Sequence, residues 1–241
     1  MEKIRNYKNQ AVKIIILLLA VVIMLMSCST IFADKWVFIG DSYASLGKTY
    51  NVPDLIAKSM NVKSYRKFCV GGFGVAAGEG KTKDRRFIKL LKGETRDPRV
   101  KVVMIIGGIN NDRKETKSKI MSEADKLFAR IHQLYRNARI YYCIPNWCSN
   151  TFKNYKMRQD KIVKRLKWYK KACEKNGGTF LTQASNVLHT KKDSRYFTKD
   201  GHHPSIKGKI LIAETIVKWI KKDQQNRESY TPGTMSTKTL G

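Results

Sequence analysis

Four histidines occur in 241 residues, and two of them, His202 and His203, stand side by side in "TKDGHHPS" (198–205). Asp200 lies three residues before His203. A carboxylate in that position can hold an imidazole in one tautomer and leave the other ring nitrogen to take a proton. The natural donor of that proton is a serine, and Ser42 in "GDSYASLG" (40–47) is the candidate. A serine hydroxyl is inert until a base removes its proton and donors accept the oxyanion charge. Gly72 in "GGFG" (71–74) can present its backbone N–H because no side chain blocks the approach. Asn110 in "GGINND" (107–112) can point an amide N–H at the same spot, and the Ser42 N–H completes an oxyanion hole. Viewed singly, each has a plainer reading: an N-cap for Ser42, a turn for Gly72, an Asx-turn for Asn110. Asp41 is read as fixing the turn beside the serine.

Only a shared framework could bring these blocks together, and the hydrophobic pattern supplies one. Strands are expected at 35–40, 63–70, 100–108, 138–145 and 177–182, the third being the strongest signal and the second the most polar. Helices are expected at 52–60, 85–93, 115–137, 155–176 and 205–222. The last two are expected to turn Val163, Leu166, Tyr169 and Cys173, and Ile206, Ile210, Ala213, Val217 and Ile220, inward. Strands alternating with helices predict an α/β fold: a three-layer α/β/α sandwich on about five mostly parallel strands. Ligands of such sheets bind at the carboxyl ends of the strands. The Ser42, Gly72 and Asn110 blocks each follow a strand, and the histidine pair precedes the last helix.

In this order, "GDSY", "GGFG", "GGINND" and "DGHHP" resemble the four blocks of the SGNH hydrolases, the GDSL-type esterases and lipases, from about Lys35 to Lys222. The resemblance implies a flavodoxin-like SGNH hydrolase fold and an ester-hydrolysing serine enzyme. It implies Ser42 as nucleophile, His203 as base, Asp200 as its orienter, and Ser42, Gly72 and Asn110 as the oxyanion hole. Two departures leave the register open by a residue or two. "RKFCV" stands where the family has an asparagine before the second block's glycine, with Gly74 as the alternative to Gly72. Asn111 stands where the family has an aspartate, Asp112 being one later, and Asn111 is the alternative to Asn110. His202 is expected to face away from His203, because adjacent residues on an extended chain point in opposite directions. The same argument excludes a metal held by the pair, and no metal or other cofactor is expected. "GEGKT" (78–82) mimics the end of a P-loop, but Val75 stands where that motif needs its first glycine.

The ends and the charge bear on where the protein works. A basic start and an apolar run at 14–26 read as a signal segment, too short for a membrane span. "LMSC" (25–28) resembles a lipobox that would place a lipid on Cys28, and Ala33 offers an ordinary cleavage site. The expected organisation is a signal at 1–33, a catalytic domain at 34–223 and a polar, mobile tail at 224–241. The chain would then be exported, either secreted or anchored to the outer face of the membrane. The formal charge is +29, of which residues 1–33 carry +3. Export argues against nucleic acid as the partner of so much charge. Anionic wall polymers or a membrane surface fit better, as does an acylated polysaccharide as substrate, with small acyl groups such as acetyl expected. An acyltransferase using the same serine and a wall-binding module without turnover are the alternatives. Cys143 and Cys148 are close enough in sequence to pair around Pro145; buried free thiols are the other reading of Cys69, Cys143, Cys148 and Cys173.

Overall fold

The computed structural model describes residues 14–16, 34–47, 50–78, 84–110, 116–153, 155–189 and 194–229. The chain divides into two units, Met1–Asp34 and Lys35–Gly241. In the first, the described residues are a helical turn at 14–16 and Asp34. Cys28, the 25–33 cleavage region, Asn111, Asp112, residues 79–82 of the P-loop-like stretch and residues 230–241 lie outside the described residues.

The second unit is built on a five-stranded parallel sheet in the order β2-β1-β3-β4-β5. The strands are β1 (Lys35–Gly40), β2 (Ser64–Cys69), β3 (Val100–Ile106), β4 (Arg139–Cys143) and β5 (Thr179–Phe180). β1 and β3 are central because they are apolar on both faces: Val37, Phe38 and Ile39, and Val103 to Ile106, are wholly buried, as a doubly covered parallel sheet requires. β2, "SYRKFC", is half-exposed and forms one edge. β5 is only two residues long, shorter than expected from 177–182, since Leu181 already caps the next helix.

Helices cover both faces. α1 (Ser42–Ser45) follows β1 directly, and α2 (Val52–Ser59), α3 (Phe87–Leu90), α4 (Lys117–Leu134), α5 (Tyr155–Lys175), α6 (Thr182–Asn186) and α7 (Ile206–Glu228) follow in chain order. α2 packs beside α7, and α4 beside α5. Starts are capped by side chains: Asn51 accepts from Asp54, Thr116 from Lys119 and Ser205 from Gly208, satisfying amides that lack a helical partner.

Two helices bury most of the face expected of them, including Tyr169, Cys173, Ala213, Val217 and Ile220, but not all of it. On α7 the buried stripe is Gly208, Lys209, Ile212, Ala213, Ile216, Val217 and Ile220, and Ile206 is 55% exposed. On α5 it is Ile162, Arg165, Tyr169, Ala172 and Cys173, and Val163 is 46% exposed. In both, a long basic side chain lies within the buried stripe, its methylenes acting as apolar surface. Such a residue shifts the face from where a count of apolar letters puts it. α7 also runs to Glu228, past the expected helix end at residue 222 and into the stretch expected to be a mobile tail.

The register sets up the site. Gly40 pairs with Cys69 on one side and Ile106 on the other, and Ile106 pairs with Cys143. Four strands therefore end in one row, and the chain leaves each of them at the same edge.

Candidate active site

Ser42 is the first residue after the Asp41 N-cap of α1, so the turn from strand to helix lifts its side chain above the row of strand ends. Its Oγ lies 3.1 Å from His203 Nε2, and His203 Nδ1 lies 2.6 Å from Asp200 Oδ2. With Nδ1–H donating to the carboxylate, Nε2 is the acceptor for the seryl proton. The other Asp200 oxygen accepts from the His202 and His203 N–H groups at 2.8 and 2.9 Å and from the Thr198 hydroxyl at 2.7 Å. Burial pushes the Asp200 carboxyl up, but these bonds more than offset it and hold it well below the usual carboxylate range. It is therefore ionised at any working pH.

The loop bearing these residues is pinned on two sides. Ser149 N–H donates to the Gly201 carbonyl at 2.8 Å, tying it to the chain leaving β4. Thr198 N–H donates to the His203 carbonyl, and Ser205 N–H to the Tyr196 carbonyl, tying it to the start of α7.

Asp41 carries more of the architecture than a turn. It is wholly buried. Oδ1 accepts from the Tyr43 N–H at 2.9 Å; Oδ2 accepts from the Gly108 N–H at 2.8 Å and from Asn146 Nδ2 at 3.0 Å. One carboxylate thus joins the segments leaving β1, β3 and β4. Burial pushes its pKa up, opposed by those same bonds. Gly107 has φ +99°, and a Cβ there would lie 2.3 Å from the carboxylate, so the residue must lack a side chain.

Donors for an oxyanion surround Ser42 unevenly. Among the described residues, neither the Ser42 nor the Gly72 N–H has an acceptor. Gly71 and Gly72 form the turn after β2, and Gly71 lies against the Ser42 side chain. Asn110 follows β3, its Nδ2 donating to the Phe73 carbonyl at 2.9 Å. That bond locks Asn110 to the Gly72 loop. The second N–H reaches Asp41 Oδ2 only at 3.4 Å, a weak contact. Gly74, in bridges with Arg86 and Ile109, already spends its N–H on the Arg85 carbonyl at 3.0 Å.

His202 does not face away from its neighbour. The two rings stand 4.4 Å apart, because Asp200 gathers both backbone N–H groups and bends the chain into a turn where an extended path had been expected. Arg158 Nη2 donates to His202 Nε2 at 3.1 Å, while Phe152 and Tyr43 flank the ring. Burial, then the Arg158 charge and His203, hold the His202 pKa down at about 3. The Tyr43 hydroxyl contacts the carbonyls of Trp147 and His202. Asn146 and Arg158 lie in no motif, and Tyr43, though inside the "GDSY" block, was given no role. Tyr43 adjoins the serine and Asn146 lies three residues beyond the end of β4, and those positions were the only signals available. Cys69, Cys143, Cys148 and Cys173 are free thiols, so the 143–148 pair is not bridged.

No family model matches the sequence, and neither does any curated protein. Solved structures do match. A family two carbohydrate esterase from Clostridium thermocellum, in complex with cellohexaose, is 18% identical with a TM-score of 0.54, over 79% of this chain and 64% of that one. A protein classed as a GDSL-like lipase from Parabacteroides merdae is 16% identical with a TM-score of 0.60, over 77% and 94%. A protein classed as an SGNH hydrolase from Slackia heliotrinireducens is 14% identical with a TM-score of 0.57, over 78% and 99%. The chain thus spans under two-thirds of the carbohydrate esterase and nearly all of the other two. It has the α/β fold of the SGNH hydrolases.

Proposed function

We propose that this protein is an exported serine esterase of the SGNH/GDSL type that removes small O-acyl groups, of the acetyl kind, from a cell-wall or surface polysaccharide. The observation that carries the reading is the continuous relay Ser42–His203–Asp200, at 3.1 and 2.6 Å, at the carboxyl end of the sheet. Its support on the substrate side is the likeness to a carbohydrate esterase solved with cellohexaose, together with the high positive charge.

The geometry supports the following reaction. His203 Nε2 takes the seryl proton as Ser42 Oγ attacks the ester carbonyl. The Asp200 carboxylate stabilises the imidazolium that forms. The Ser42 and Gly72 N–H groups, with the loosely held second N–H of Asn110, receive the tetrahedral oxyanion. His203 then gives its proton to the sugar oxygen as the C–O bond breaks, releasing the sugar hydroxyl, and water repeats the sequence on the acyl-serine to free the acid.

The test is acetate release from 4-nitrophenyl acetate and from an O-acetylated polysaccharide by the wild type, Ser42→Ala and His203→Ala. Activity in the wild type that both variants lose is expected. Equal activity in all three would sink the proposal.

A further inference from the structure

The loop carrying Gly72 is laced to the segment before α3. Gly74 N–H donates to the Arg85 carbonyl at 3.0 Å, Arg85 N–H to the Ala77 carbonyl at 2.9 Å, and Phe87 N–H to the Gly74 carbonyl at 2.8 Å. The Arg85 backbone is thereby fixed against the loop that supplies an oxyanion donor. Its side chain runs back over that donor: a Cβ built on Gly72, where φ is +79°, would lie 3.1 Å from Arg85 Nη1. Arg85 is exposed at this rim.

Its neighbours differ from it in one respect. Arg86 places Nε and Nη2 on the two oxygens of Asp84, at 2.9 and 2.7 Å, and Nη1 on Glu123 at 2.7 Å. Those bonds to Arg86 hold the Asp84 carboxyl down at about 2. Lys89 also reaches Asp84, at 3.5 Å. The nearby carboxylates are therefore engaged by Arg86 and Lys89. Among the described residues, the Arg85 guanidinium has no acidic partner. A planar fork of donors with uncompensated charge, held beside the oxyanion glycine and open to solvent, suits an anionic group on a bound ligand.

Resting on the esterase reading, we propose that Arg85 is a specificity-determining residue. It pairs with an anionic oxygen group, carboxylate or phosphate, on the glycan whose acyl ester lies at Ser42. The enzyme then selects acylated polyanions over neutral acylated glycans at the site itself.

The test compares kcat/KM for acetate release from three polymers. These are O-acetylated polygalacturonate, the same polymer with its carboxylates methyl-esterified, and O-acetylated poly(glycerol phosphate). The wild type should favour an anionic polymer over the neutral one. In Arg85→Gln that ratio should fall by up to about fivefold, the scale of one charge-assisted pair at a solvated rim; Arg85→Lys should keep part of it. Whichever anionic polymer loses more identifies the group recognised. Arg136→Gln, which removes the same charge from the opposite end of the sheet, should leave the ratio in place. An unchanged ratio in Arg85→Gln, or an equal fall in Arg136→Gln, would overturn the assignment. A wild type that releases no acetate even from 4-nitrophenyl acetate would instead overturn the esterase reading.

Discussion

The His202 ring lies 4.4 Å from the His203 ring, tilted 45° to it, and takes a hydrogen bond from Arg158, so two adjacent histidines sit in opposite electrostatic situations. One is backed by a carboxylate, the other faces a guanidinium.

Acid stability follows from that contrast. The folded His202 pKa of about 3 lies below the unfolded value near 6.5. The unfolded chain therefore binds this proton first. Stability from this group is fully present above pH 6.5 and is lost as pH falls from there towards 3. Chemical denaturation at pH 7 and pH 5 should show a loss of up to about 2 kcal/mol in the wild type that His202→Gln largely lacks. Equal losses in both proteins would refute the neutral state of His202.

Asp200→Asn tests the orienting role. The amide cannot balance the imidazolium, and an Asn N–H₂ turned to Nδ1 favours the wrong tautomer. A fall in kcat of about 10³–10⁴, with KM little changed, is expected from steady-state kinetics. The fold should survive, because Asp200 is half-exposed.

Asp41→Asn should fail differently. Its carboxylate accepts from three segments at once. An amide there keeps one acceptor and turns two hydrogens towards donors. Thermal unfolding should report a loss of about 1–3 kcal/mol, and activity should fall with it. Gly107→Ala should reproduce both losses by forcing a Cβ into the carboxylate. Asn146→Ala should be milder, since it removes one donor and leaves the other two.

The thiols should be inert in the folded protein. Burial pushes Cys69 and Cys173 up to about 12, and Cys143 well above its usual value. Thiolate is the reactive form. A thiol-reactive dye should label these residues slowly without denaturant and fast with it, and a reducing agent should leave the melting temperature unchanged. A melting temperature that drops on reduction would restore the Cys143–Cys148 bridge.

Much of the fold was legible because its signals are local. Runs such as "VKVVMII" can be little else than buried strands, and the alternation of strands with helices fixed the layers. Ser42, Asp200 and His203 were legible because each sits in a compact block. The structure brings all three together, and Gly72 and Asn110 follow β2 and β3, the strands on either side of β1. The inward faces of α5 and α7 were legible in part: Tyr169, Cys173, Ala213, Val217 and Ile220 are buried as expected, but Val163 and Ile206 are exposed, and Arg165 and Lys209 occupy buried stripes where a residue count expects apolar side chains. Nor was the direction of His202, which depends on the turn that Asp200 makes with its backbone. Asn146 and Arg158 gain their roles from packing between segments more than 40 residues apart in sequence.

The hydrogen bond from Ser42 to His203 spans 161 positions of the chain. Ser42 is made well before His203, and α7, the helix that follows the histidine, comes later still. On the proposed reading, the serine stays unactivated until that later segment has been made and has docked onto the sheet.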